Sequence, residues 1–171
     1  MLHVLIDADA LPRQIKDTVF RAAERTIGKV KWTLVANKRL YIKPELGIDM
    51  ITVEKSPDEA DDRIVDIIGK GDLVVSSDIP LASRAIKKGA SALSPKGEFH
   101  SESSISARLA TRNLMEQLRN EGVIKCGHAP FSSKDIQQFA NRLDSFIAKR
   151  MKDEASSERR KSSPFQPPEP Q

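Results

Sequence analysis

The chain has 171 residues, with 28 basic and 24 acidic side chains, a formal charge of +4 and 39% hydrophobic residues. That is one domain's worth of ordinary soluble composition; no apolar run approaches the ~20 residues of a membrane span, and so small a charge surplus favours polyanionic partners only weakly. A single cysteine, Cys126, excludes an internal disulfide and any multi-cysteine zinc site, and with no basic leader before the opening apolar run a cytoplasmic location is expected.

Residues 2–6 form a short apolar run that stops at Asp7-Ala8-Asp9-Ala10-Leu11-Pro12, which reads as a buried strand and a turn. Pro12 opens a helix in which Ile15, Val19, Ala22, Ala23 and Ile27 recur at helical spacing until Gly28. Second and third strands are predicted at Lys31 to Ala36 and Asp49 to Glu54. A helix over 58–68 follows, with Ser56 as its expected cap. Leu73 to Ser77 is a fourth strand ending at Asp78, Pro80 opens a helix that closes at Gly89, and Ala90 to Leu93 is a fifth strand. Two more helices are expected at 101–121 and 132–149, with Cys126 and His128 in the loop between them. From residue 152 to 171 Ser, Arg, Lys and Pro dominate, and the composition predicts a disordered tail after a domain of residues 1–151.

Short apolar strands alternating with helices predict an α/β fold: three layers, a mainly parallel sheet and helices on both faces. Ligands of such sheets bind beyond the carboxyl ends of the strands. Asp7, with Asp9 two residues on, and Asp78 stand at such ends, and the crossover rule makes the first and fourth strands natural neighbours. In the helix over 58–68, Ala60, Ile64, Val65, Ile67 and Ile68 make the apolar arc. Asp61 projects inside that arc, whereas Asp62 and Asp66 point away and Asp58 lies at its edge. A carboxylate on a buried helix face needs a partner, an arginine or a metal ion. Taken singly, each strand-end aspartate reads first as a turn or cap residue. Taken together, clustered carboxylates without histidines suit a hard cation, Mg²⁺ or Mn²⁺, and the phosphate chemistry such ions support.

At these residues the sequence resembles the YaiI/YqxD family, bacterial proteins grouped with the PIN-like fold. The likeness is carried by Asp7-Ala8-Asp9-Ala10-Leu11-Pro12, Ala60-Asp61-Asp62, the run from Gly71 to Ala82, Ser94-Pro95-Lys96-Gly97-Glu98, and Arg108-Leu109 with Arg112. It spans about residues 1–149, with one departure: Leu11 stands where the family's motif has cysteine. The resemblance implies a PIN-like fold with a Mg²⁺ or Mn²⁺ site. By similarity to PIN nucleases, Asp7, Asp61 and Asp78 would be the catalytic metal ligands. Asp9 would support them or join the shell, Asp58 is a lesser candidate, and Glu98 could complete the cluster.

Among basic residues, Arg112 falls inside an apolar arc of Ile105, Leu109 and Met115, with Arg108 beside it. An inward guanidinium there would hold a substrate phosphate or clamp an acidic ligand; a structural salt bridge or a snorkelling side chain reads as well. Lys38 and Arg39, with Asn37 and Tyr41, follow the second strand on the ligand side, as a backbone contact for nucleic acid or as a solvated loop. Trp32 and Tyr41 are too few for a platform of stacked bases.

The expected activity is a metal-dependent nuclease or phosphodiesterase acting on RNA or another phosphate ester. A second reading is a non-catalytic nucleic-acid- or nucleotide-binding protein of the same fold. A third is a haloacid-dehalogenase-like phosphatase, since a strand ending in Asp-x-Asp is also that family's opening. There Asp7 would be the nucleophile, but the hydroxyl residue expected after the pair is missing.

Overall fold

The computed structural model describes residues 1–56, 58–122 and 131–161. Cys126, His128 and the Pro-rich end of the expected tail lie outside them. The chain runs β1 (His3–Asp7), α1 (Arg13–Arg25), β2 (Lys31–Ala36), a 3₁₀ turn (Pro44–Leu46), β3 (Ile48–Thr52), α2 (Glu59–Ile67), β4 (Leu73–Val75), α3 (Ile79–Lys87), β5 (Ser91–Leu93), β6 (Phe99–His100), α4 (Glu102–Asn120) and α5 (Ser133–Lys161).

The strands form one six-stranded sheet in the order β3-β2-β1-β4-β5-β6. Every pairing from β3 to β5 is parallel, and β6 turns back antiparallel on β5. The expected neighbours β1 and β4 do pair, Ile6 lying opposite Val75. Side chains alternate across each strand and fill two cores, as the period of two requires. Val4, Ile6, Trp32, Leu34, Leu73 and Val75 face Ile15, Val19 and Ala22 of α1 and Phe139, Leu143 and Ile147 of α5. Leu5, Val35, Val74 and Ala92 face Ile64 of α2, Leu81, Ala82 and Ala85 of α3, and Ile105 of α4. The three-layer α/β architecture read from the sequence is therefore the one observed.

The details differ in four places. A 3₁₀ turn stands between β2 and β3, where no element was expected, and β6 was not foreseen, since two residues carry no periodicity. His100 lies on β6 and is buried. Ser56 does not cap α2. Asp58 holds that position in the left-handed region, φ 63°, without a side-chain cap. Helix α5 runs through residues 152–161, the first part of the expected tail. It continues because Met151 packs against the core and Glu154 lies 3.3 Å from the amino terminus, so the helix still has neighbours where its apolar periodicity fades.

Candidate functional site

The strand order reverses between β1 and β4: β2 and β3 lie on one side, β5 and β6 on the other. Loops leaving β1 and β4 therefore diverge to opposite faces and open a crevice at the carboxyl ends, the place where open parallel sheets bind ligands. Asp7 is the last residue of β1, and Asp78 follows β4 by three residues. Between them lies Ser76, buried, whose hydroxyl donates to Asp7 Oδ2 at 2.7 Å and accepts from the Asp78 amide at 2.9 Å. One hydroxyl thus ties the two strand ends together. Asp78 also caps α3, its Oδ1 accepting from the Leu81 amide at 2.8 Å, so the cap reading and the site reading of this residue coexist.

Asp61 enters from α2, half-buried, while Asp62 is exposed and pairs with Arg84 at 2.7 Å, the division the helical wheel predicts. A cleft of about 320 Å³ opens over the strand ends. Asp7, Asp9, Glu54, Asp58 and Asp61 line it beside Asn37 and Ser56, and no cationic side chain does among the described residues. Asp9 is exposed and anchored at the rim, its Oδ2 accepting from the Asn37 amide at 2.6 Å.

The electrostatics follow from this crowding. Burial pushes the Asp7 carboxyl up from its ordinary value; the Ser76 hydrogen bond opposes the shift, while Asp9 and Asp78 add to it. Burial raises Asp61 to about 7, reinforced by Asp78, Asp7 and Asp58 and opposed by Arg84. A raised carboxyl makes the folded state bind more protons than the unfolded chain, so stability falls as pH climbs from the ordinary Asp range through about 7. Asp61→Asn should accordingly raise the melting temperature by several degrees at pH 8 in EDTA, and the gain should disappear by pH 4, where both forms are neutral. Thermal unfolding of the two proteins at both pH values checks it; an equal or lower melting temperature at pH 8 would show that Asp61 is compensated.

The donor set is oxygen-only and net negative, which suits a hard divalent cation. It is no closed cage: among the described residues, no three acidic, imidazole or thiol groups stand together as a ready-made shell. Mg²⁺ sites need none, because that ion keeps waters and is held by one or two carboxylates plus substrate phosphates.

The basic residues are placed otherwise than expected. Arg112 does not point inward, because α4 leaves the body of the protein after Ile105 and offers its apolar arc no core to face; the residue is exposed. It lines a second cleft of about 350 Å³ with Ser77, Asp78, Ile79, Glu116 and Arg119, which puts it on the other flank of Asp78. Arg108 is paired with Glu98 at 2.7 Å, and Glu98 does not line the aspartate cleft. Lys38 is exposed in the loop after β2, one residue beyond the cleft wall at Asn37. Sequence reasoning missed Ser76 and Glu54. Ser76 sat in a predicted strand where any small residue would serve, and Glu54 ended a predicted strand without a pattern to mark it.

Residues 5–149 match the family described as "Uncharacterized BCR, YaiI/YqxD family". A UPF0178 protein of Burkholderia lata is 47% identical over 148 residues, covering 86% of this chain and 97% of that protein. A UPF0178 protein of Maridesulfovibrio salexigens is 44% identical over the same length and coverage. Among solved structures, Rae1 (YacP) from Bacillus subtilis aligns over 86% of this chain and 99% of its own at 16% identity and a TM-score of 0.35, too loose a likeness to carry an argument. The sequence matches leave no ambiguity: the chain belongs to the YaiI/YqxD family.

Proposed function

We propose that the aspartate cleft binds Mg²⁺ or Mn²⁺ and hydrolyses phosphodiesters, with RNA as the expected substrate. The observation that carries this reading is that Asp7 and Asp61 line a cleft where the strand order reverses, with Asp78 near enough to raise both carboxyls and no cationic side chain lining the cleft among the described residues. Asp7, Asp61 and Asp78 would hold the ion, with Asp9 supporting them from the rim. A bound ion supplies an activated water and neutralises charge developing on phosphoryl oxygens. Ser76 and the Ala10 backbone hold the Asp7 carboxylate in place, and Asp78 spends one oxygen on the α3 cap. Arg112, on the far flank of Asp78, stands where it can hold a substrate phosphate. Asp61 keeps its proton up to about neutrality when nothing balances it, so a cation must displace that proton.

Mn²⁺ titration by calorimetry tests this. Binding should tighten as pH rises from 6 to 8, and it should release a proton, read from the heats in buffers of different ionisation enthalpy. No binding at millimolar Mn²⁺ would leave the acidic cluster structural.

The open arrangement of the carboxylates favours a second reading, binding of nucleic acid or nucleotide without turnover. Metal binding with no cleavage of any phosphate ester would select it. The phosphatase reading lacks its lysine: none lines the aspartate cleft among the described residues.

A further inference from the structure

We propose that a groove between α1 and the loop after β2 is the path of a single-stranded nucleic acid, with one base stacked on Tyr41. The path rests on reading the aspartate cleft as a phosphodiester site, and it adds where the strand runs once it leaves that cleft.

Two segments border both places. Asp9 lines the cleft and Arg13, four residues on, lines the groove; Asn37 lines the cleft and Tyr41, Ile42 and Lys43 line the groove. The Asn37 amide donates to Asp9 at 2.6 Å and pins the two segments together at the cleft. The groove is about 510 Å³, larger than either the acidic cleft or the mixed cleft beside Asp78, and roomy enough for a nucleotide.

Tyr41 is 85% exposed, yet it is not a loose side chain on a loose loop. Leu40 and Ile42 on either side pack into the core, which holds the backbone and leaves the ring between them facing solvent. An exposed aromatic ring on a held backbone is a stacking surface, and a base stacked on one contributes roughly 1–3 kcal/mol. A platform for a run of bases needs more rings than this chain has; one ring serves one base.

The charges point the same way. The loop Asn37-Lys38-Arg39-Leu40-Tyr41-Ile42-Lys43 carries three cations and no acid. Among the described residues, no carboxylate lies within 4.0 Å of Lys38, Arg39, Lys43 or Arg13, whereas Arg25, Arg84 and Arg108 are each committed to an ion pair. On the α1 wall Arg13 and Arg21 stand among Asp17 and Glu24, whereas the loop wall presents Lys43 with no acid beside it, and Lys38 and Arg39 precede it in the same loop. Cations spaced along an extended backbone match a phosphodiester chain, which binds by such contacts irrespective of sequence.

The test is fluorescence anisotropy of the full chain with labelled 12-nucleotide oligouridylate and oligothymidylate, in EDTA so that metal binding plays no part. Tyr41→Ala should weaken binding of at least one of them tenfold or more, and Tyr41→Phe should restore it, because the face of the ring and not its hydroxyl does the holding. Lys38→Ala with Lys43→Ala should flatten the salt dependence, by about 0.7 in log–log slope for each phosphate that these lysines neutralise. Hydrolysis of bis(p-nitrophenyl) phosphate with Mn²⁺ should survive Tyr41→Ala, since that substrate is too short to reach the groove. Failure of that hydrolysis in the wild type would count against the cleft alone, whereas the anisotropy reads the groove alone. Equal binding by wild type and Tyr41→Ala, or a duplex held as tightly as the single strand, would overturn the proposal.

Discussion

Asp78→Asn should fold normally and lose about 100-fold or more of the proposed phosphodiesterase activity, the usual cost of removing one preorganised charge stabiliser. The substitution is informative because Asp78 has two jobs. Its Oδ1 caps α3 through the Leu81 amide, and asparagine caps a helix about as well as aspartate. Its charge faces the crevice shared with Asp7 and Asp61, and asparagine removes it. The melting temperature should therefore stay near wild type or rise, while Mn²⁺ binding and cleavage of single-stranded RNA fall together. Asp78→Ala, by contrast, forfeits the cap as well, at about 1 kcal/mol of stability. If the asparagine protein cleaves like wild type, Asp78 is a cap and nothing more, and the site must be drawn without it.

Gly97→Ala should be the most damaging small substitution in the domain, costing roughly 3 kcal/mol or more when left-handed strain and overpacking are combined. Gly97 sits at φ +79° in the turn between β5 and β6, closed by its amide donating to the Ser94 carbonyl at 2.9 Å. An added Cβ would lie 2.7 Å from the carbonyl carbon of Gln138 and the amide nitrogen of Phe139. Those are backbone atoms of α5 and cannot rotate aside, and Phe139 is fully buried beside them. The ring of Phe99 on β6 also meets Phe146 of α5, with centroids 5.5 Å apart. Urea unfolding would show a lower midpoint at an unchanged slope. A loss under 1 kcal/mol would mean that the hairpin does not seat against α5.

Much of this architecture is legible in the sequence. The strands that set the sheet order, and the inward turn of Asp61, follow from apolar runs and a helical wheel, because burial on one or both faces leaves a strong periodic signal. The neighbourhood of Asp7 and Asp78 follows from strand ends and crossover rules. The misplaced residues share a cause. Arg112 reads as inward because its wheel is apolar, but periodicity records that a face exists, not that anything covers it. Likewise the Glu98–Arg108 pair joins a hairpin to a helix, through an interaction with no sequence pattern of its own. Ser76 stays hidden because a bridging hydroxyl looks like any small strand residue until both partners are known.

The pairing of β1 with β4 also has a consequence in time. Asp7 is made long before Ser76 and Asp78, and the hydrogen bond from the Ser76 hydroxyl to Asp7 bridges 69 positions of sequence. No fragment ending before β4 can assemble the crevice, however well β1, α1 and β2 have folded. Even then the face of the sheet that carries Val4 and Ile6 is covered only in part, by α1, until α5 supplies Phe139, Leu143 and Ile147. During translation the crevice can therefore take shape only after β4 has been made, and the core beneath it closes only when the carboxyl-terminal helix docks.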